Sequence, residues 1–137
     1  MAAGYSKTSL TKKLRLRAGD RLVLLNAPAG WSVPEPPEEL SVAAERGGDE
    51  DAAADLIIAF CSTLAALASA VATQAPRIFP AGALWIAWPR RAGGPNSEVT
   101  ENDIRAAALP LGLVDVKVAA LDEDWSGLRL VWRRERR

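Results

Sequence analysis

The stretch from Asp55 to Trp88, DLIIAFCSTLAALASAVATQAPRIFPAGALWIAW, decides the fold. Its opening, Asp55 to Cys61, is a continuous apolar run that reads as a strand buried on both faces. Ser62 or Thr63 then supplies a helix cap. Leu64, Leu67, Ala68 and Val71 repeat at helical spacing and give one apolar stripe. Pro76 ends that helix, and GALWIAW (Gly82 to Trp88) forms another apolar strand. Strand, helix and strand in this order make a parallel crossover unit.

Upstream, SLTKKLRL offers a Ser9 cap with Leu10 and Leu14 four residues apart, a short basic helix. RAGD turns the chain into RLVLLN (Arg21 to Asn26), a second strand with two buried faces. APAGWSVPEPPEEL is a proline-rich connection, SVAAER a short strand, and GGDEDAAAD an acidic loop. Downstream, Thr100 to Asp103 has the form of a capping box with Asp as the fourth residue, and Pro110 and Gly112 bound its helix. LVDVKVAAL then alternates, with Val114, Val116 and Val118 on one face. LRLVWRR alternates too, and DEDWSG between them is a turn. The expected fold is three-layer α/β, with a mostly parallel sheet and a C-terminal antiparallel hairpin strand.

Length and composition narrow the functional classes. The chain has 137 residues, expected to form a single domain: a basic helix and turn over 1–20, an α/β core over 21–133 and a basic tail over 134–137. Lys plus Arg and Asp plus Glu are both 17, so net charge gives no reason to expect nucleic acid or an anionic membrane. Charge is nevertheless segregated. Six cations and one acid lie within the first 21 residues, and eight acids lie between Glu35 and Asp55. No histidine is present, which removes His-based triads and the common zinc sites. Cys61 is the only cysteine, so no intrachain disulfide forms and a cytoplasmic location is expected. No signal peptide or membrane span is expected either.

The order of elements over residues 21–133 resembles a shortened class I (Rossmann-like) methyltransferase. The resemblance implies S-adenosylmethionine held by a glycine-rich loop after the first strand, with an acid at the end of the second strand on the ribose. Here that loop reads LLNAPAGW. Asn26 stands at the acidic position, Gly30 is the only glycine, and Pro28 has no N–H to offer. Glu45 matches the ribose acid by position, against the reading of a solvated carboxylate. The phrases LWIAWPRR, VTEN, LPLGLVDVKV and LDEDWSGLRLV also resemble a family of small bacterial proteins defined by a domain of unknown function.

Ligands of open α/β sheets collect at the carboxyl ends of the strands. That edge holds Asn26, Cys61, Trp88, Arg90 and Arg91, with Thr100, Glu101 and Asn102 at a nearby helix start. Two guanidiniums beside helical N–H groups suit a phosphate or carboxylate. The competing reading pairs the arginines with Glu98 or Glu101. Trp85 and Trp132 read as core. Trp31, Trp88 and Trp125 either frame a planar ligand or fill space left by a missing first helix. Asp122 or Asp124 is weighed as a cation ligand or base against a plain turn, and Cys61 as a nucleophile against a structural thiol.

The expected function is a non-catalytic binding or regulatory module, taking an anionic small molecule or an acidic partner at the strand edge. Its residues are Asn26, Trp31, Trp88, Arg90, Arg91, Thr100, Glu101 and Asn102, with no cofactor. The alternatives are an S-adenosylmethionine-dependent methyltransferase with an atypical loop and an oligomeric structural subunit. Pro28 and the missing glycines oppose the first, for which S-adenosylmethionine would be the cofactor, and the second rests on edge strands.

Overall fold

The computed structural model describes residues 9–90 and 97–137. Helix α1 (Leu10–Leu14) starts on Ser9, whose side chain accepts from the Lys12 N–H, and ends on Arg15 in the left-handed region. Strands β1 (Arg21–Leu25), β2 (Ser41–Glu45) and β3 (Leu56–Phe60) follow. Helix α2 (Leu64–Gln74) passes through a 3-10 turn (Ala75–Ile78) into β4 (Ala83–Pro89). Helix α3 (Glu101–Ala108) leads to β5 (Leu113–Ala120), and the hairpin returns as β6 (Trp125–Trp132). Among the described residues, no helix is long and apolar enough to cross a membrane.

These strands form one sheet in the order β2-β1-β3-β4-β6-β5. β2, β1, β3 and β4 are mutually parallel, and β6 runs antiparallel to both of its neighbours. The expected mixed α/β architecture is therefore the observed one. β1 and β3 are buried along almost their whole length because other strands flank them and layers cover both faces. One face packs Ile57, Leu84, Ile86 and Leu128 under α2 and α3. The other packs Leu22, Ile58, Phe60 and Trp85 under α1 and the β1–β2 connection. Strand β6 approaches β4 closely at Gly127, where a Cβ would stand 2.9 Å from the Trp85 ring.

Two expectations need correction. The buried stripe of α2 is Leu67, Ala70, Val71 and Gln74, whereas Leu64 and Ala68 face solvent. Of the two candidate caps, Thr63 is the one used, its side chain accepting from the Ala66 N–H. The alternation across β5 is also interrupted. Asp115 pairs with Leu130 and Lys117 with Arg129, so Val116 is extruded as a β-bulge. Val116 and Val118 are consequently 53% and 46% exposed on an edge strand.

Candidate functional site

The carboxyl ends of β1, β2, β3 and β4 carry Asn26, Glu45, Cys61 and Arg90. Asn26 adopts φ 58, a conformation asparagine tolerates better than most side chains, and its Oδ1 accepts from the Gly47 N–H at 3.2 Å. It thus ties the end of β1 to the end of β2. Cys61 is buried, its Sγ 3.7 Å from the Ala59 carbonyl oxygen, and burial pushes its thiol pKa up to about 12. Such a thiol holds its proton, which favours the structural reading over a nucleophile.

Glu45 is neither solvated nor open to a ribose. Its carboxylate accepts a two-pronged contact from Arg77, Nη1 at 2.7 Å and Nη2 at 3.1 Å. The Arg77 side chain is 1% exposed and that of Glu45 10%. Two further guanidinium donors go to the Ala52 carbonyl at 2.7 Å and Gln74 Oε1 at 2.9 Å. This clamp fastens edge strand β2 to the turn that follows α2. Nothing in the local sequence flags it, because Glu45 and Arg77 are 32 positions apart and Arg77 sits in a short Pro-containing turn.

The tryptophans divide between the faces of the sheet. Trp31 and Trp125 stand edge-on to Phe60 at 5.1 and 5.0 Å, on the α1 face. Trp88 packs on the opposite face, so it does not join them around a ligand. Trp31, with Val33 and Leu40, covers the sheet where the β1–β2 connection contains no helix. The space-filling reading is the one the packing supports. Trp85 is fully buried, and Trp132 is half-buried, donating its indole N–H to the Ala75 carbonyl.

Asp122 is the hub that the sequence presents only as one acid among three. Its Oδ1 accepts from the Asp124 and Trp125 N–H groups, both at 2.8 Å, which makes it a turn-forming side chain. Its Oδ2 accepts from the Trp31 indole at 2.8 Å, and its carbonyl accepts from Arg90 Nη1 at 3.1 Å. Trp31 and Arg90, far apart in sequence, therefore converge on one residue. Beside Trp31 and Asp122 a cavity of about 440 Å³ opens between α1 and the β1–β2 connection, lined also by Leu10, Lys13 and Glu35, while Arg90 does not line it. Burial, then the charges of Lys117 and Arg90, lowers the Lys13 pKa.

Other expected partners separate. Glu98 accepts from the Leu64 N–H at the start of α2, and Glu101 pairs with Arg105 at 3.0 Å, so neither carboxylate pairs with Arg90. Thr100 is engaged in its own capping box with Asp103. Asn102 Oδ1 accepts from Arg105, which also reaches Asp115 at 2.8 Å and holds α3 against β5. That contact keeps the Asp115 carboxyl below the usual carboxylate range. Arg91 lies outside the described residues.

No family model and no curated protein sequence matches the chain. Solved structures do. A SAM-dependent methyltransferase from Aquifex aeolicus superposes with a TM-score of 0.64 at 14% identity, covering 88% of this chain and 86% of that one. A TehB-like SAM-dependent methyltransferase from Corynebacterium glutamicum gives 0.59 at 10% identity over 96% and 91%. Aeropyrum pernix fibrillarin, solved with bound S-adenosyl-L-methionine, gives 0.58 at 16% over 84% and 67%. The chain thus has the Rossmann-like fold of the class I methyltransferases.

Proposed function

We propose that this chain is a methyltransferase-fold binding module that takes an anionic ligand and does not turn over S-adenosylmethionine. The Glu45–Arg77 clamp is the observation that carries this reading. The acid that the fold resemblance would assign to a ribose is already spent on a buried guanidinium. Freeing it would strand a buried charge, a cost of several kcal/mol. The loop after β1 adds to this, since it offers Pro28 and one glycine where backbone N–H groups would have to approach a cofactor.

The anion site we propose is at Arg90, where it and Trp31 meet at Asp122. Arg90 has no carboxylate within ion-pair distance among the described residues, and its contact is a neutral carbonyl. Its charge is therefore available to a phosphate or carboxylate at the carboxyl end of β4. S-adenosylmethionine-dependent methyl transfer is the second reading, favoured by the fold likeness to the Aquifex and Corynebacterium enzymes.

Thermal melts at rising ligand concentration test both, because a ligand of the native state alone raises the melting point progressively. The expected outcome is a rise with phosphate or ATP that is reduced in Arg90→Ala, and none with S-adenosylhomocysteine. A concentration-dependent rise with S-adenosylhomocysteine overturns the binding-module reading in favour of the enzyme.

A further inference from the structure

At the opposite, amino edge of the parallel strands lies a larger groove that the sequence does not announce. It encloses about 900 Å³ between the α1–β1 connection, the turn after α2 and strands β5 and β6. Volumes of this order hold small-molecule ligands. Six cationic side chains that make no salt bridge among the described residues line it: Arg15, Arg17, Arg21, Lys117, Arg129 and Arg137. Arg77 reaches it too, but its charge is met by Glu45.

The two acids of the groove do not balance these cations. Asp20 accepts from the Arg17 backbone N–H and Asp55 from the Arg21 backbone N–H, both at 2.8 Å. None of the six side chains makes a salt bridge to another residue among the described residues. Arg129 is half-buried in β6, and its contact is the Leu14 carbonyl at 3.3 Å. Burial, and then the positive charges of Arg15 and Arg17, pull its pKa below the ordinary guanidinium value. Like charges gathered from four chain segments around a half-buried guanidinium repel one another. An anion in their midst removes that repulsion.

Chemistry narrows the anion. Five of the six cations are arginines, whose planar donors fork onto phosphate oxygens. At the rim Phe79 is 47% exposed while standing edge-on to Trp132 at 5.4 Å, so part of an aromatic side chain borders the groove. We propose that this groove binds a chain of linked phosphates, presented by a nucleoside polyphosphate or by a single-stranded nucleic acid. The proposal does not depend on the Arg90 site, which lies at the other edge of the sheet.

The test is fluorescence anisotropy with a short labelled oligothymidylate, competed by ATP and by inorganic tripolyphosphate. Binding is expected to weaken roughly fiftyfold between 50 and 200 mM salt if about four phosphates are contacted on a single strand. Arg15→Glu with Arg17→Glu, both at exposed positions, is expected to weaken binding at least tenfold while the melting point holds. Arg46→Glu with Arg133→Glu changes net charge equally away from the groove and is expected to have little effect.

Equal losses in the two double variants overturn the proposal, since net charge alone would then explain binding. Absence of binding, or competition by poly-glutamate as strong as by tripolyphosphate, overturns it as well. Which of ATP and the oligonucleotide binds tighter identifies the source of the phosphates, and either ranking supports the groove. Oligothymidylate binding lost in Arg90→Ala but kept in Arg15→Glu/Arg17→Glu would sink this inference. A melting response to phosphate lost only in Arg90→Ala bears on the Arg90 site and leaves the groove to the anisotropy result.

Discussion

Cys61 shows how one residue's chemistry is set by where its strand ends. Its side chain is enclosed at the tip of β3, and the neutral thiol is favoured over the thiolate because burial strips the anion of water. Two consequences are measurable. The native protein should resist a thiol reagent such as dithionitrobenzoate near pH 8 and react promptly once unfolded. Stability should also fall as pH rises from about 9, the ordinary thiol value, towards about 12, the folded value. In that window the unfolded chain has lost the proton that the native chain keeps, a slope of about 1.4 kcal/mol per pH unit at most. Urea unfolding at a series of pH values checks this, with Cys61→Ala expected to flatten the descent. The sequence marked Cys61 as a structural thiol through the absence of any histidine to activate it. Asp122 was harder to read, because its three roles join Trp31, Arg90 and its own turn only after folding.

Secondary elements were legible where local signals suffice. The Ser9, Thr63 and Thr100 caps all form, and the crossover from β3 through α2 to β4 stands as its apolar runs imply. The bulge in β5 was not legible, since an alternating sequence does not record which residue the partner strand skips. Nor was the Glu45–Arg77 clamp, a pairing made by the tertiary route of the chain. Truncating one partner leaves the other charged and buried, so Glu45→Ala is expected to cost about 3–5 kcal/mol. Replacing both, Glu45→Leu with Arg77→Met, should recover much of that loss. Chemical unfolding of the single and double variants checks both statements. Equal losses in the two would mean that the clamp is not a coupled unit.

Across the whole molecule, the two hydrophobic layers share one sheet, and the five tryptophans sample both. Trp31, Trp85 and Trp125 lie on the α1 face, Trp88 and Trp132 on the α2 and α3 face. If the layers melt together, tryptophan fluorescence and far-ultraviolet circular dichroism should trace one superimposable transition. Separate midpoints would divide the chain into two folding units. At this scale the architecture could be read from the order of elements, but the charged groove could not. Its cations come from the α1–β1 connection, β1, the hairpin and the C-terminal tail, and only the sheet order brings them to one edge. The segregation of charge along the chain was the trace it left in the sequence.

The extruded Val116 has a consequence for how copies of this chain share a solution. With 17 acids and 17 bases, the molecule has little net repulsion to hold its neighbours apart at neutral pH. Colloidal stability must then come from shape at the margins of the sheet. One margin, β2, is only five residues long. The other carries the kink at Val116 with the Lys117 ammonium beside it, and a kinked, charged edge makes a poor template for strand addition. What breaks the regularity of the last rung is thus what discourages a crowded solution from stacking these sheets end to end.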